Sequence, residues 1–377
     1  MTPHEARMIK TLTQLAGLPT AAGREDAVVA WVTRWANRRA WVSLQADAYG
    51  NLTLRDRRWQ RRKSGEPIVI VAHMDHPAFV AVESVGREVI AHFRGGVRPE
   101  YFVGTGLRHW SGTCRGSRAV VVAYEEDDTP GRTGPGPRVT LRFARSADVQ
   151  PGDVLTWDLP EPNVAGGRLK ALACDNLAGV AAALCTLEKV HALRTPPKTE
   201  LRLLFTRAEE IGFVGAVSVC EDRLIPEDAR VVVLEASKAF DHAPIGGGPI
   251  VRVGDRLSVF DPALTDSIAG VAENIAGDDS SFAWQRKLMD GGACEATAFA
   301  AYGYRAACVC VPLGNYHNMD ETRQRISRES IATSDWLGMV RLLAALPSRS
   351  GVSGVDALSI RRRLAERFAI QRIVLDD

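Results

Sequence analysis

Four short, nearly unbroken apolar runs punctuate this chain, at residues 68–72, 201–206, 231–234 and 306–313. Continuous rather than alternating apolar runs belong to strands buried on both faces, as in parallel sheets. Each run leads into a histidine or a carboxylate: His73-Met74-Asp75, Glu209-Glu210, Glu235, and Asn315-Tyr316-His317. Helical spacing appears between them, with Leu177, Val180, Leu184, Leu187 and Val190 on one stripe. Two N-terminal helices are predicted over 3–16 and 23–38, parted by Gly17-Leu18-Pro19-Thr20. A turn at 47–51 leads into a strand at 52–54.

The pattern changes between 78 and 164, where no helical period is found. Short strands at 88–93, 119–124, 138–143 and 154–157, with a Gly/Pro-rich turn or loop at 131–137, predict a small β-barrel. Helix and strand alternate again from Asp175, so the barrel is an insert in an α/β domain. The expected fold is a mostly parallel, mixed α/β sheet flanked by helices. The α/β domain, expected to be the catalytic one on the chemistry below, occupies 1–77 and 165–347, the β-rich insert 78–164, and a linker with a basic helix, about 356–374, fills 348–377.

Composition narrows the class. Of 377 residues, 46% are apolar and 24% charged, as in an ordinary globular protein. A net charge of +2 gives no field favouring nucleic acid or an anionic membrane. The basic cluster Arg55, Arg57, Arg58, Arg61, Arg62 and Lys63 reads as a solvated hairpin loop. Residues 1–18 read as an amphipathic helix rather than a signal peptide, and no apolar stretch is long enough to span a bilayer. The seven cysteines are scattered and odd in number; Cys174, Cys185, Cys220, Cys308 and Cys310 lie in apolar elements, as buried free thiols do. A reducing cytoplasm is therefore expected.

The polar run-ends carry the chemistry. On an extended chain His73 and Asp75 share a face, so His73 could bind a metal while Asp75 holds its other ring nitrogen. Asp175 precedes a helix and reads first as its cap, a role compatible with bridging two cations. Adjacent Glu209 and Glu210 repel unless a cation compensates. On an extended segment they point apart, leaving one for metal and one for a reacting water. Glu235, at a strand end, needs a partner, and His317 lies in a loop. His4, His92, His109, His191 and His242 read as surface or packing residues, while His76 is left open. Imidazole and carboxylate donors suit Zn²⁺, with Mn²⁺ or Co²⁺ also accepted. Five such ligands exceed one tetrahedral site and suit two metals sharing a carboxylate, roughly 3.5–4 Å apart.

This ordered set resembles the co-catalytic zinc metallopeptidases, above all the glutamyl and tetrahedral aminopeptidases, some of which carry an endoglucanase label. The resemblance runs over roughly 8–345. It rests on Val71-Ala72-His73-Met74-Asp75, Ala173-Cys174-Asp175-Asn176, residues 207–216 and 312–317, with support from 15–25 and 47–51. It implies a dinuclear aminopeptidase acting on peptides, with His73 and Glu235 at one metal, Glu210 and His317 at the other, and Asp175 bridging them. Glu209 would be the general base and Asp75 would orient His73. The family's insert also implies a homo-oligomer. Three departures stand out: Glu235 where relatives commonly have Asp, Asn176 where an acid is frequent, and Gly291-Gly292-Ala293-Cys294-Glu295-Ala296 in place of a Gly-Gly-Thr-Asp-Ala stretch. Glu295 could select a basic side chain or pair with a backbone group. The alternatives are a related metallo-amidohydrolase or carboxypeptidase, and a non-catalytic assembly protein on the same fold.

Overall fold

The four apolar runs become adjacent strands at the centre of an eight-stranded sheet in the computed structural model, which describes residues 2–61, 66–126, 136–349 and 357–371. Leu201–Thr206, Ile68–His73, Arg230–Lys238 and Arg305–Leu313 lie side by side and parallel. Leu52–Asp56 and Val42–Ala46 extend one edge antiparallel. Ile250–Gly254 pairs antiparallel with Arg305–Leu313, and Gln285–Leu288 closes the other edge. The predicted mixed, mostly parallel sheet is borne out. Every residue of Ile68–His73 is buried, as a strand covered on both faces requires.

Helices cover both faces. Leu177–His191 is buried along most of its length, and its small residues Ala178, Gly179, Ala181, Ala182 and Ala183 let it sit close to the sheet. Pro3–Leu15 begins with a capping box, in which the Thr2 hydroxyl accepts from the Glu5 N–H and the Glu5 carboxylate accepts from the Thr2 N–H.

The chain leaves the sheet after His73 and forms a closed six-stranded barrel between Ala78 and Trp157. Barrel closure removes sheet edges. Its interior is aromatic: Phe79, Phe93, Phe102 and Trp157 are buried, with the Phe79 and Trp157 centroids 4.8 Å apart. Beyond the barrel, Asn163–Ala165, Arg168–Ala171 and Glu329–Ala332 form a separate three-stranded sheet beside the main one.

Several local readings change. The strand ending at residue 234 on apolarity continues to Lys238, because Arg305–Leu313 pairs with it along its whole length. Glu235 therefore sits within a strand. The hairpin loop predicted for the basic cluster starts with a short 3₁₀ turn, Arg57–Arg61; Arg62 and Lys63 lie outside the described residues. The same holds for most of the loop at 131–137 and of the linker after 348, whereas the C-terminal helix spans Ala357–Gln371. None of the described helices is long and apolar enough to cross a membrane.

Candidate metal centre

Parallel strands place their carboxyl ends together, and the register aligns the site. Thr206 pairs with His73, and Val233 with Val71, so Glu235 and His73 reach the same level. Around that level the fold assembles His73, Asp175, Glu209, Glu210, Glu235 and His317 as lining of one open cleft of about 450 Å³. Open α/β sheets bind ligands at this edge.

Two triads stand out. His73, Asp175 and Glu235 offer donor atoms all within 4.8 Å of one another, and so do Asp175, Glu210 and His317. Asp175 belongs to both. His73 Nε2 lies 3.5 Å from Asp175 Oδ1 and 3.8 Å from Glu235 Oε2. His317 Nε2 lies 3.7 Å from Asp175 Oδ2 and 3.3 Å from Glu210 Oε2. A third grouping joins His73, Glu209 and Glu210.

A hydrogen bond to His317 and a carboxylate contact to His73 aim the imidazoles. His317 Nδ1 contacts the Gly96 carbonyl, which only accepts, so this nitrogen carries the proton and Nε2 presents a lone pair. Gly96 follows the barrel strand Glu88–Arg94, so the insert itself orients a site residue. His73 Nδ1 lies 3.3 Å from Asp75 Oδ1, which likewise turns Nε2 toward the cluster.

The acids are costly as they stand. Burial pushes Asp175 up to about 7 and raises Glu209 and Glu210 well above the usual carboxylate range, and neighbouring acids add to the rise. Asp175 Oδ1, Glu210 Oε1 and Glu235 Oε1 are buried without a hydrogen-bond donor. Partnerless carboxylate oxygens facing imidazole lone pairs are the donor set a divalent cation satisfies. The residues present thus fit a bound metal.

Two expectations about local geometry fail. Asp175 does not cap the following helix: Asn176 holds the N-cap position, and its amide donates instead to the Leu234 carbonyl. Glu209 and Glu210 do not lie on an extended segment. They sit in a 3₁₀ turn, Glu209–Ile211, preceded by Ala208 at φ 55°. Buried acceptors force that turn. Asp75 takes the N–H groups of Glu209 and Glu210, each at 3.0 Å, and Glu25 takes that of Ala208 while pairing with Arg207. Asp75 thus holds the acidic pair as well as His73.

Glu295 does not line the cleft and makes no hydrogen bond to a backbone group: it is fully buried, and burial pushes it up to about 8. His76 is buried against the Asp175 carbonyl and Asn318, turned away from the triads. His191 stacks on Trp41, and His109 pairs with Asp153.

Sequence reading missed Glu329. One of its oxygens accepts from the N–H groups of Cys174 and Asp175, and the other from His317, at 2.8–3.0 Å. One buried carboxylate thus ties together the two segments that carry Asp175 and His317. Flanked by Arg328 and Ser330, it reads in sequence as surface. We predict that Glu329→Gln lowers affinity for a divalent metal by ~10–100-fold, the usual loss for a residue that orients ligands. Competitive chelator titration measures this, and an affinity within about threefold of the wild type would remove Glu329 from the positioning set.

Comparison with known proteins supplies a family and a fold. The profile of the family described as M42 glutamyl aminopeptidase matches residues 142–332, just over half of the chain. Among solved structures, an aminopeptidase from the archaeon Desulfurococcus kamchatkensis superposes with a TM-score of 0.72 at 19% identity, covering 94% of this chain and 99% of that one. The TET1 peptidase of Pyrococcus horikoshii gives 0.72 at 18%, covering 90% and 99%. The TET aminopeptidase of a marine sediment Thaumarchaeota archaeon gives 0.73 at 16%, covering 91% and 97%. At such identities the superpositions establish the fold.

Proposed function

From the premise that this chain belongs to the M42 glutamyl aminopeptidase family, and is thereby a metal-dependent aminopeptidase, we propose that it works with two divalent ions, most naturally Zn²⁺. The observation that carries the number two is the pair of adjacent triads sharing Asp175. His73 and Glu235 would hold one ion, Glu210 and His317 the other, and Asp175 both. When bound, such ions supply Lewis-acid polarisation of a scissile carbonyl and positive charge that favours hydroxide over water.

The chain's own groups do the rest. Glu209, at the cleft and held by its backbone N–H to Asp75, accepts a proton from the attacking water and returns it to the leaving amine. Its burial and acidic neighbours raise its proton affinity. Asp75 keeps the proton on His73 Nδ1 and the lone pair on Nε2. The longer arm of Glu235, compared with an Asp, still brings its Oε2 into the triad from within the strand.

The substrates would be peptides with a free N-terminal amine. The test is a metal-reconstituted assay of aminoacyl amides against N-acyl amino acids. Hydrolysis of the amides, abolished by a chelator and restored by Zn²⁺, Co²⁺ or Mn²⁺, is the expected result. Activity confined to N-acyl substrates would replace the aminopeptidase with the metallo-amidohydrolase. The Pyrococcus horikoshii relative assembles into a tetrahedron or a large octahedral shell. We place this chain in a homo-oligomer too, and light scattering at the 41.0 kDa chain mass would contradict that. Seven free cysteines favour the cytoplasm, an assignment that recovery of the protein outside the cell would reverse.

A further inference from the structure

The cleft is rich in acceptors. Asp175, Glu209, Glu210 and Glu235 line it with carboxylates, and the imidazoles of His73 and His317 turn Nε2 toward them. Its charged donors are tethered: Lys238 pairs with Glu321 at 2.9 Å, and Arg252 reaches Ser237 Oγ at 3.1 Å and the Met289 carbonyl at 3.2 Å. Tyr316 differs from all of these. It is half-buried in the wall of the cleft, and its hydroxyl makes no hydrogen bond to any described residue. An enclosed tyrosine usually gives its O–H a partner within the fold. Here the O–H is left for what enters the cleft.

The ring is placed with care. It stacks on the His317 imidazole, with centroids 3.8 Å apart and planes at 23°, so the phenol sits directly on the second triad. Its far end crosses toward the opposite wall, where a Cβ added to Gly292 would lie 3.8 Å from the hydroxyl oxygen. The backbone around it is left-handed, with φ of 56° at Asn315, 54° at His317 and 64° at Asn318. Asn tolerates that region, but His317 does not do so freely. Three hydrogen bonds of 2.9 Å hold the turn: the Asn315 amide to the Arg328 carbonyl, the His317 N–H to Glu329, and the Asn318 amide to the Leu172 carbonyl. Strained backbone that its surroundings enforce in this way clusters at active sites.

We propose that the Tyr316 hydroxyl is a catalytic donor, hydrogen-bonding the oxyanion that forms on the scissile carbonyl. The proposal rests on the aminopeptidase reading for the substrate. As water oxygen bonds to the carbonyl carbon, the π pair moves onto the carbonyl oxygen and Glu209 takes the water proton. That new charge develops among four carboxylates, which can only repel it. A substrate ammonium is a donor and is served by those acids, whereas the oxyanion is an acceptor and needs a donor. The phenol keeps its own proton throughout and returns to its free state when the carbonyl re-forms.

Tyr316→Phe keeps the ring on His317 and removes only the hydroxyl. With the metal-loaded enzyme and leucyl-4-nitroanilide, kcat should fall ~100-fold, the effect of losing one oxyanion donor, while KM moves by less than about threefold. Calorimetry supplies a readout without turnover. A phosphinic pseudodipeptide with a leucine side chain, whose tetrahedral anion mimics the intermediate, should bind the variant ~30-fold or more weakly, and L-leucine should bind both proteins alike. Tyr316→Leu should match Tyr316→Phe in kcat if the hydroxyl is the working part. Wild-type turnover in Tyr316→Phe with a fall confined to Tyr316→Leu would assign the effect to ring stacking and overturn the proposal. Equal losses of phosphinate and leucine affinity, or loss of metal from Tyr316→Phe by elemental analysis, would overturn it too. If the phosphinate difference holds but no aminoacyl substrate is cleaved, the donor assignment stands and the aminopeptidase reading falls.

Discussion

Glu209→Gln should retain two metal ions per chain and lose most of its hydrolytic rate, a fall of ~10²–10⁴-fold in kcat for removal of a general acid–base. The substitution keeps shape and hydrogen-bonding reach but removes the group that can take a proton. Geometry makes this a real choice between two roles. Glu209 falls outside the two triads that share Asp175, yet it also forms a grouping with His73 and Glu210, and its Oε2 lies 3.9 Å from His73 Nε2. If that third grouping holds an ion, the glutamine variant loses metal together with activity. If Glu209 works on the proton alone, elemental analysis shows full metal content in an inactive protein. The KM for an aminoacyl amide should then stay near the wild-type value, since the loss is in the transition state.

The separation of these roles was legible in sequence only up to a point. Pattern alone gave the four central strands and the β-rich insert, because a strand buried on both faces has little choice of residue type and a barrel needs many short strands and turns. His73 and the acidic pair were visible because polar residues directly after such strands have few structural reasons to be there. The turn that presents Glu209 was not visible. Its left-handed Ala208 is set by Asp75, Glu25 and Asn51, which take the N–H groups of residues 207–210 from distant parts of the chain. Glu329 escaped for the same reason: its partners, the N–H groups of Cys174, Asp175 and His317, come from distant parts of the chain, and no local pattern records that. Strand length around Glu235 was misjudged because the pairing that extends it comes from residues 305–313.

Asp175→Asn should cost more metal than any other single ligand change, because both triads lose the same carboxylate. We expect affinity at both positions to fall by more than about 100-fold, beyond the range for a residue that only orients ligands. Glu210→Gln, by contrast, should weaken one position and leave about one ion per chain. The stability effects should run in opposite directions with and without metal. In the metal-free protein, Asp175 is a buried carboxylate among Glu209, Glu210 and Glu235, and one of its oxygens has no donor. Replacing it with a neutral amide relieves like-charge repulsion and desolvation, so the metal-free variant should melt at or above the wild-type temperature. Added zinc at free concentration c stabilises a folded chain by RT ln(1 + c/Kd) at each site it binds, so the gain rises with the logarithm of zinc concentration above Kd. The wild type should therefore gain several degrees on titration, while Asp175→Asn gains little. Thermal melts across a zinc series measure both signs at once. A variant that still binds two ions and gains as much stability from them as the wild type would show that Asp175 does not bridge, and would leave the adjacent triads as two separate groups of acids.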